Sequence, residues 1–340
     1  MPVAMKRIVT MQPVPSATRG LRRVLVAVDF SEGSERGWQR ALRVPLDPAA
    51  NLQVVHVLPI QERRKSRLDK VLEIYAAREL QKIVRAMQRI LVRAGMRGVA
   101  VTCEVRHGAP YDEIVQAARD HRSELIVVGR SGRQGLRHFL LGSTAERVIW
   151  SSAIPVLVAQ EPRPRPYRRV LVAFDNSVAA RAAFRAGIRL ADEAARIDVV
   201  RATDLSHLLA AKNLGVSLRR VREIAAREQR DAERGMASVL AESGAEELDV
   251  RLAVRHGSPA SVILDELKRH KSELIVLGTH SRSGIQRAIL GSVAESVVRR
   301  ATGDVLVARS EAPAAQRPRR KPSVSGGSGD GALGGPIVLH

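Results

Sequence analysis

The stretch SELIVVGRSGRQGLRHFLLGSTAERV at Ser123–Val148 returns as SELIVLGTHSRSGIQRAILGSVAESV at Ser272–Val297, and that return decides the fold. In each copy a short β-branched run (Leu125–Val128 in the first) ends at a glycine, and a helical pattern opens after a second glycine, Gly142 or Gly291. Working outward, VLVAVDFS at Val24–Ser31 returns at Val170–Ser177 as VLVAFDNS, and VRHGAP at Val105–Pro110 returns at Val254–Pro259 as VRHGSP. PVLVAQ from Pro155 returns as DVLVAR from Asp304. The offset is 146 residues at the first pair (170 − 24) and 149 at the last (304 − 155), so one unit is written twice with almost no gap.

Within a unit, apolar runs alternate with helical patterns, which predicts a parallel sheet with crossover helices. The expected strands of the first copy are Val24–Val28, Leu52–Val57, Ala100–Val105, Leu125–Val128 and Val156–Val158. Before the third lies a long helix whose Leu68, Leu72, Tyr75, Leu80, Ile83, Met87 and Ile90 form one apolar stripe, read as core. Five strands and four helices make a small doubly wound α/β unit, whose ligands belong beyond the carboxyl ends of the strands. The expected organisation is an arm at 1–20, a domain at 21–160, a Pro/Arg linker at 161–168, a domain at 169–308 and a disordered basic, Gly-rich tail at 309–340.

Composition limits the function classes. The 340 residues are 45% hydrophobic and 27% charged, with a mean hydropathy of −0.11, which fits a globular chain. No apolar run reaches the length of a spanning helix, so membrane insertion is not expected. A single cysteine, Cys103, excludes an intramolecular disulfide and a CxxC pair, and fits a reducing cytoplasm. The net charge of +21 is partly peripheral: residues 1–28 carry +5, residues 160–169 carry +3 and residues 309–340 carry +3. Within the bodies, the stretch 61–95 has ten basic and four acidic residues and makes a basic face, so weak, salt-sensitive binding to polyanions is expected. The nine histidines show no metal-site spacing, and no G-x-x-x-x-G-K-[ST] loop exists. The repeated Arg106-His107-Gly108 and Arg255-His256-Gly257 read as exit turns rather than catalytic groups.

The loop after the fourth strand has the chemistry of a phosphate cradle. Gly129, Gly132 and Gly142 let backbone approach a ligand closely, and the helix opening at Ser143-Thr144 offers unpaired N–H groups to an anion. Ser143 is the expected N-cap. Glycines serving only turns and a cap remain the alternative.

Taken together, VAVDFS closing the first strand, the V-x-x-G-x-P stretch at Val105–Pro110, ELIVVG at Glu124–Gly129, and G-x2-G-x9-G-S followed by AERV resemble the universal stress protein family. The resemblance covers Leu21–Gln160 and Arg169–Ala308. It implies five parallel strands per domain in the order 3-2-1-4-5 and edge pairing through the fifth strand, hence two tandem domains forming an intramolecular pseudo-dimer. It also implies ATP binding, with Mg held by phosphates and water. Ala27, Asp29, Val57 and Val128 would line base and ribose; Gly129, Gly132, Gly142, Ser143 and Thr144 would hold phosphate. Asp29 as a cap of the following turn is the competing reading. In the second copy Ala173, Asp175, Leu277, Gly278, Gly291, Ser292 and Val293 occupy matching places, while Ser281 replaces Gly132 and Arg201-Ala202 replaces His56-Val57. The expected function is an ATP-binding stress-response regulator without dedicated catalysis, possessing adenine nucleotide as ligand and forming a homodimer. The alternative is an interaction scaffold with vestigial nucleotide sites that recruits acidic partners or nucleic acid through its basic segments, and a slow ATPase is the third class.

Overall fold

The computed structural model describes residues 20–59, 67–130, 141–204, 218–244, 248–280 and 291–310. The first repeat runs β1 (Leu21–Ala27), α1 (Glu32–Ala41), β2 (Leu46–Leu58), α2 (Arg67–Arg93), β3 (Ala100–His107), α3 (Pro110–Asp120), β4 (Leu125–Gly129), α4 (Ser143–Ser151) and β5 (Val156–Ala159). The second runs β6 (Tyr167–Ala173), α5 (Val178–Ile188), β7 (Ala191–Thr203), α6 (Leu218–Ser243), β8 (Asp249–His256), α7 (Pro259–His270), β9 (Leu274–His280), α8 (Ser292–Arg300) and β10 (Asp304–Ser310). All five strands expected in the first copy are present.

The ten strands form one sheet in the order β3-β2-β1-β4-β5-β10-β9-β6-β7-β8. Each half is the order 3-2-1-4-5, parallel throughout, and the halves meet where β5 and β10 pair antiparallel, with Val158, Leu157 and Val156 opposite Val305, Leu306 and Val307. Each of those strands would otherwise present an apolar edge with unpaired N–H and C=O groups, and their union removes both edges. The central strands are buried on both faces, as parallel strands are. Val24 and Val26 pack under α1 and α2 with Leu80, Val84, Met87 and Leu91, while Leu25 between them points to the other face, toward Ile114 of α3 and Val148 of α4.

The α2 stripe is core only in part. Leu80 and Met87 are buried, but Leu72 is 44% and Tyr75 52% exposed, alongside exposed Val71 and Ile74. The buried positions of the 27-residue helix lie from Ala76 onward; Leu68 lies outside the residues whose side chains are described.

A polar cluster seals the crossover on one side. Asp304, fully buried, faces the buried Arg40 guanidinium of α1 with Oδ2 at 2.6 Å from Nε. The same oxygen accepts from the Tyr167 hydroxyl at 2.6 Å. Asp304 Oδ1 accepts from the amides of Gln160 and Glu161 at 2.8 and 3.0 Å. Arg40 lies over the Tyr167 ring, 4.1 Å from its centroid, and donates to the Arg165 carbonyl. Helix α1 of the first repeat, the connecting segment and β6 and β10 of the second therefore share one carboxylate.

Candidate functional site

Strand β1 lies between β2 and β4, and the helices that follow β1 and β4 leave on opposite faces of the sheet, which opens a crevice at their carboxyl ends. Val26 is opposite Val127, so Ala27 and Val128 stand side by side at the rim. Ala27 is opposite Val55, which sets Val57 two residues further out on β2. The second repeat repeats the register: Val172 faces Val276, bringing Ala173 beside Leu277.

The turn after β1 is built the same way twice. Asp29 Oδ1 accepts from the amide and hydroxyl of Ser31, whose own Oγ accepts from the Ser34 amide and caps α1. Asp175 likewise accepts from the Ser177 amide, and the Ser177 hydroxyl accepts from the Ala180 amide and caps α5. Asp29 thus caps its turn, the competing reading of this residue. Between aspartate and serine the backbone turns through positive φ at a non-glycine, 62° at Phe30 and 65° at Asn176. That turn lays the Phe30 ring on the His56 imidazole, centroids 4.4 Å apart, with the Tyr75 ring edge-on at 6.5 Å. His56 is fixed by a 2.8 Å bond between Nδ1 and the Val28 carbonyl. The sequence reading missed this aromatic shelf. In the second repeat Asn176 instead donates to the Asp231 carbonyl of α6, and Arg201, at the place of His56, pairs with Glu228 at 2.8 Å.

On the β4 side the expected N-cap is corrected: Gly142 is the cap of α4, and Ser143 is the first helical residue. A serine at the cap would turn its hydroxyl onto the first-turn amides, whereas glycine leaves them bare. Among the described residues no side chain caps α4 or its counterpart α8, which opens after Gly291. The amide of Gly142 is engaged by the Arg130 carbonyl at 2.7 Å and that of Arg130 by Ala159 at 3.1 Å. The amides of Ser143, Thr144 and Ala145 have no acceptor within the helix, whose first backbone bond runs from the Glu146 amide to the Gly142 carbonyl. A Cβ added at Gly291 meets nothing within 4 Å, so crowding does not explain that glycine. Gly129 differs: its added Cβ falls 2.2 Å from the Gly33 carbonyl oxygen, and that of Gly278 falls 2.5 Å from backbone of Ala179 and Ala180. These two glycines let α1 and α5 press onto β4 and β9. Residues 131–140 and 281–290, Gly132 and Ser281 among them, lie outside the described residues.

The carboxyl ends of α4 and α8 are held reciprocally. Arg130, next to Gly129, crosses to the second repeat and donates to the carbonyls of Arg299 and Ala301 at the end of α8. Arg309 crosses back to the Trp150 carbonyl near the end of α4. Guanidinium groups there complement the negative helix end, and burial lowers the pKa of both arginines.

The two R-H-G motifs are structural. Gly108 and Gly257 take φ of 151° and 141°. Arg106 pairs with Glu104 and Asp120 at 2.9 and 2.7 Å, and Arg255 with Glu266 at 2.9 Å. Among the described residues no cluster of His, Cys, Asp and Glu has metal-holding geometry, and no helix is long and apolar enough to cross a membrane.

This duplicated architecture is matched by the model of the universal stress protein family over residues 20–160 and again over 166–309. The chain belongs to the universal stress protein family. Universal stress proteins of Mycobacterium tuberculosis and Mycolicibacterium smegmatis are 28% identical over 317 residues and 27% identical over 299 residues; each alignment covers 84% of this chain, with 94% and 96% of the relative. A universal stress protein of Methanocaldococcus jannaschii is 28% identical over 142 residues, 42% of this chain and 84% of the relative. Among solved structures, a universal stress protein of Archaeoglobus fulgidus superposes with a TM-score of 0.61 at 21% identity, over 84% of this chain and 98% of that one. That likeness is one of fold, and it extends across both universal stress domains.

Proposed function

We propose that this universal stress protein is a regulator that binds ATP, chiefly in its first domain, and that nucleotide occupancy rather than catalysis is its output. The observation that carries the reading is helix α4, opening on Gly142 with uncapped amides, across the β1–β4 crevice from a turn that lays Phe30 on His56. Amides at a helix start favour phosphate, and an aromatic shelf favours a base. Ala27, Val57 and Val128 supply apolar cover, Asp29 faces the ribose, and Ser143 and Thr144 with the backbone of Gly129 and Gly142 take the phosphates, with Mg held through phosphate and water. The second domain, with Ala173, Asp175, Leu277, Gly278, Gly291, Ser292 and Val293, is the weaker site: its phosphate loop has Ser281 in place of Gly132, and its shelf is replaced by Asn176 and the Arg201–Glu228 pair. Cytoplasmic residence, a stress-response role and further self-association belong to the same reading.

The test is to denature the purified protein, identify any released nucleotide by mass spectrometry, and titrate nucleotide-free protein with Mg-ATP. Gly142→Asp is the decisive variant. Gly142 has φ −65° and ψ 143°, which aspartate adopts, and its carboxylate would cap α4, adding about 0.5–1 kcal/mol of stability. The same carboxylate would occupy the phosphate donors and repel the anion, so ATP affinity should fall ~100-fold, the loss of one or two charge-assisted hydrogen bonds. Unchanged affinity in this variant, or neither released nucleotide nor a calorimetric signal in the parent, overturns the proposal.

A further inference from the structure

The duplicated fold supplies its own control for surface charge. From Leu80 to its end, α2 carries Lys82, Arg85, Arg89 and Arg93 and no acid. The three arginines are exposed and have no ion-pair partner among the described residues; Lys82 meets Glu79 at 2.7 Å. In α6, the counterpart, six arginines alternate with five acids, and pairs such as Arg219–Glu223 and Arg234–Asp231 neutralise the face.

The cationic surface continues around α2. Ile90 forms one wall of a groove of about 510 Å³ between α1, α2 and the connecting segment, whose floor includes Trp38 and Leu42 and whose rim includes Arg43, Arg163 and Arg165. All three rim arginines are exposed. Arg43 has no ion-pair partner among the described residues, and broken symmetry accounts for it. Its counterpart Arg189 crosses between the repeats to Glu124 at 2.9 Å, but the matching Glu273 bonds Arg169 instead. This surface is at the amino ends of the strands, since α2 runs away from the crevice and Arg93 precedes β3.

We propose that this face binds single-stranded nucleic acid, with the arginines of α2 along the phosphodiester backbone and an unpaired base in the Trp38 groove. Arginines four residues apart on a helix recur every ~6 Å, close to the phosphate spacing of an extended strand. A groove with guanidinium groups at its rim and one aromatic ring at its floor takes a base that a duplex keeps stacked inside. The site involves neither the crevice nor the tail.

The test is anisotropy of a labelled single-stranded oligonucleotide against the full chain over a range of salt, with tryptophan emission recorded in parallel. Binding should weaken with salt at a log–log slope of about −3, from four or five phosphates at roughly 0.7 each. R85Q/R89Q/R93Q should lower affinity at least ~10-fold and flatten the slope by about 2, with thermal stability unchanged because the three side chains are solvated. R222Q/R227Q/R230Q on α6 should change neither quantity. Binding should quench tryptophan emission, and W38L should remove most of that quench although Trp150 remains. Parent-like binding by the α2 triple variant overturns the proposal. So does loss of binding on removing residues 311–340 alone, which assigns it to the tail, or equal competition by duplex DNA or polyglutamate, which reduces the face to a general polyanion attractor.

Discussion

Asp304→Ala is expected to destabilise the folded chain by about 3–5 kcal/mol, the cost of leaving a buried charge without its partner. Three donors and one positive charge converge on this carboxylate: the Tyr167 hydroxyl and the amides of Gln160 and Glu161 donate to it, and the Arg40 guanidinium pairs with it. Arg40 is 2% and Tyr167 0% exposed, so neither finds water once the acceptor is gone. Burial, followed by the Asp304 charge, pushes the Tyr167 phenol well above its ordinary pKa, which keeps it a donor at every physiological pH. Urea unfolding measures the loss. Arg40→Leu in the Asp304→Ala background should recover part of it, because the double variant removes the stranded charge as well as its partner. A loss below about 1 kcal/mol would mean that water reaches Arg40 and that the cluster is not the seal of the crossover.

The position of that cluster also shows where the sequence was legible. The repeat, the strands and the β5–β10 edge pairing follow from β-branched runs that recur at a fixed offset, because a parallel strand buried on both faces leaves an unbroken apolar signature. Asp304 stands where the first copy has Pro155, and a single polar residue opening a buried strand was the available signal for the seal. The aromatic shelf had no such signal. It depends on Phe30 at positive φ, a conformation an aromatic residue rarely takes, and on His56 being turned by the Val28 carbonyl. For the first turns of α2, periodicity correctly predicted a helix and wrongly predicted burial, since a stripe specifies a face without saying what covers it. At the start of α4, serine's capping preference pointed to Ser143, but Gly142 takes the cap and has no side chain to cover the amides.

The loop glycines separate two purposes that one motif hides. Gly129→Ala is expected to cost about 3 kcal/mol or more and to remove nucleotide binding only as a consequence. Its new methyl would lie 2.2 Å from the Gly33 oxygen and 2.7 Å from the Ser34 amide nitrogen. Both obstacles are backbone in the first turn of α1, so no rotamer change relieves the clash and the helix must move off β4. No positive φ is involved, which makes the effect steric rather than conformational. Gly278→Ala should repeat it in the second domain, where the methyl meets the backbone of Ala179 and Ala180 at 2.5 Å. Thermal unfolding of Gly129→Ala beside Gly142→Asp then gives opposite signs from two glycines of a single signature: lower stability with the first, equal or higher stability with the second, and weakened ATP binding in both. Should Gly129→Ala retain parent-like stability and lose only the nucleotide, the α1–β4 contact would be loose and Gly129 would serve the ligand directly. Should Gly142→Asp unfold the domain, the bare start of α4 would be a feature of packing, and the case for a phosphate at that helix would fail with it.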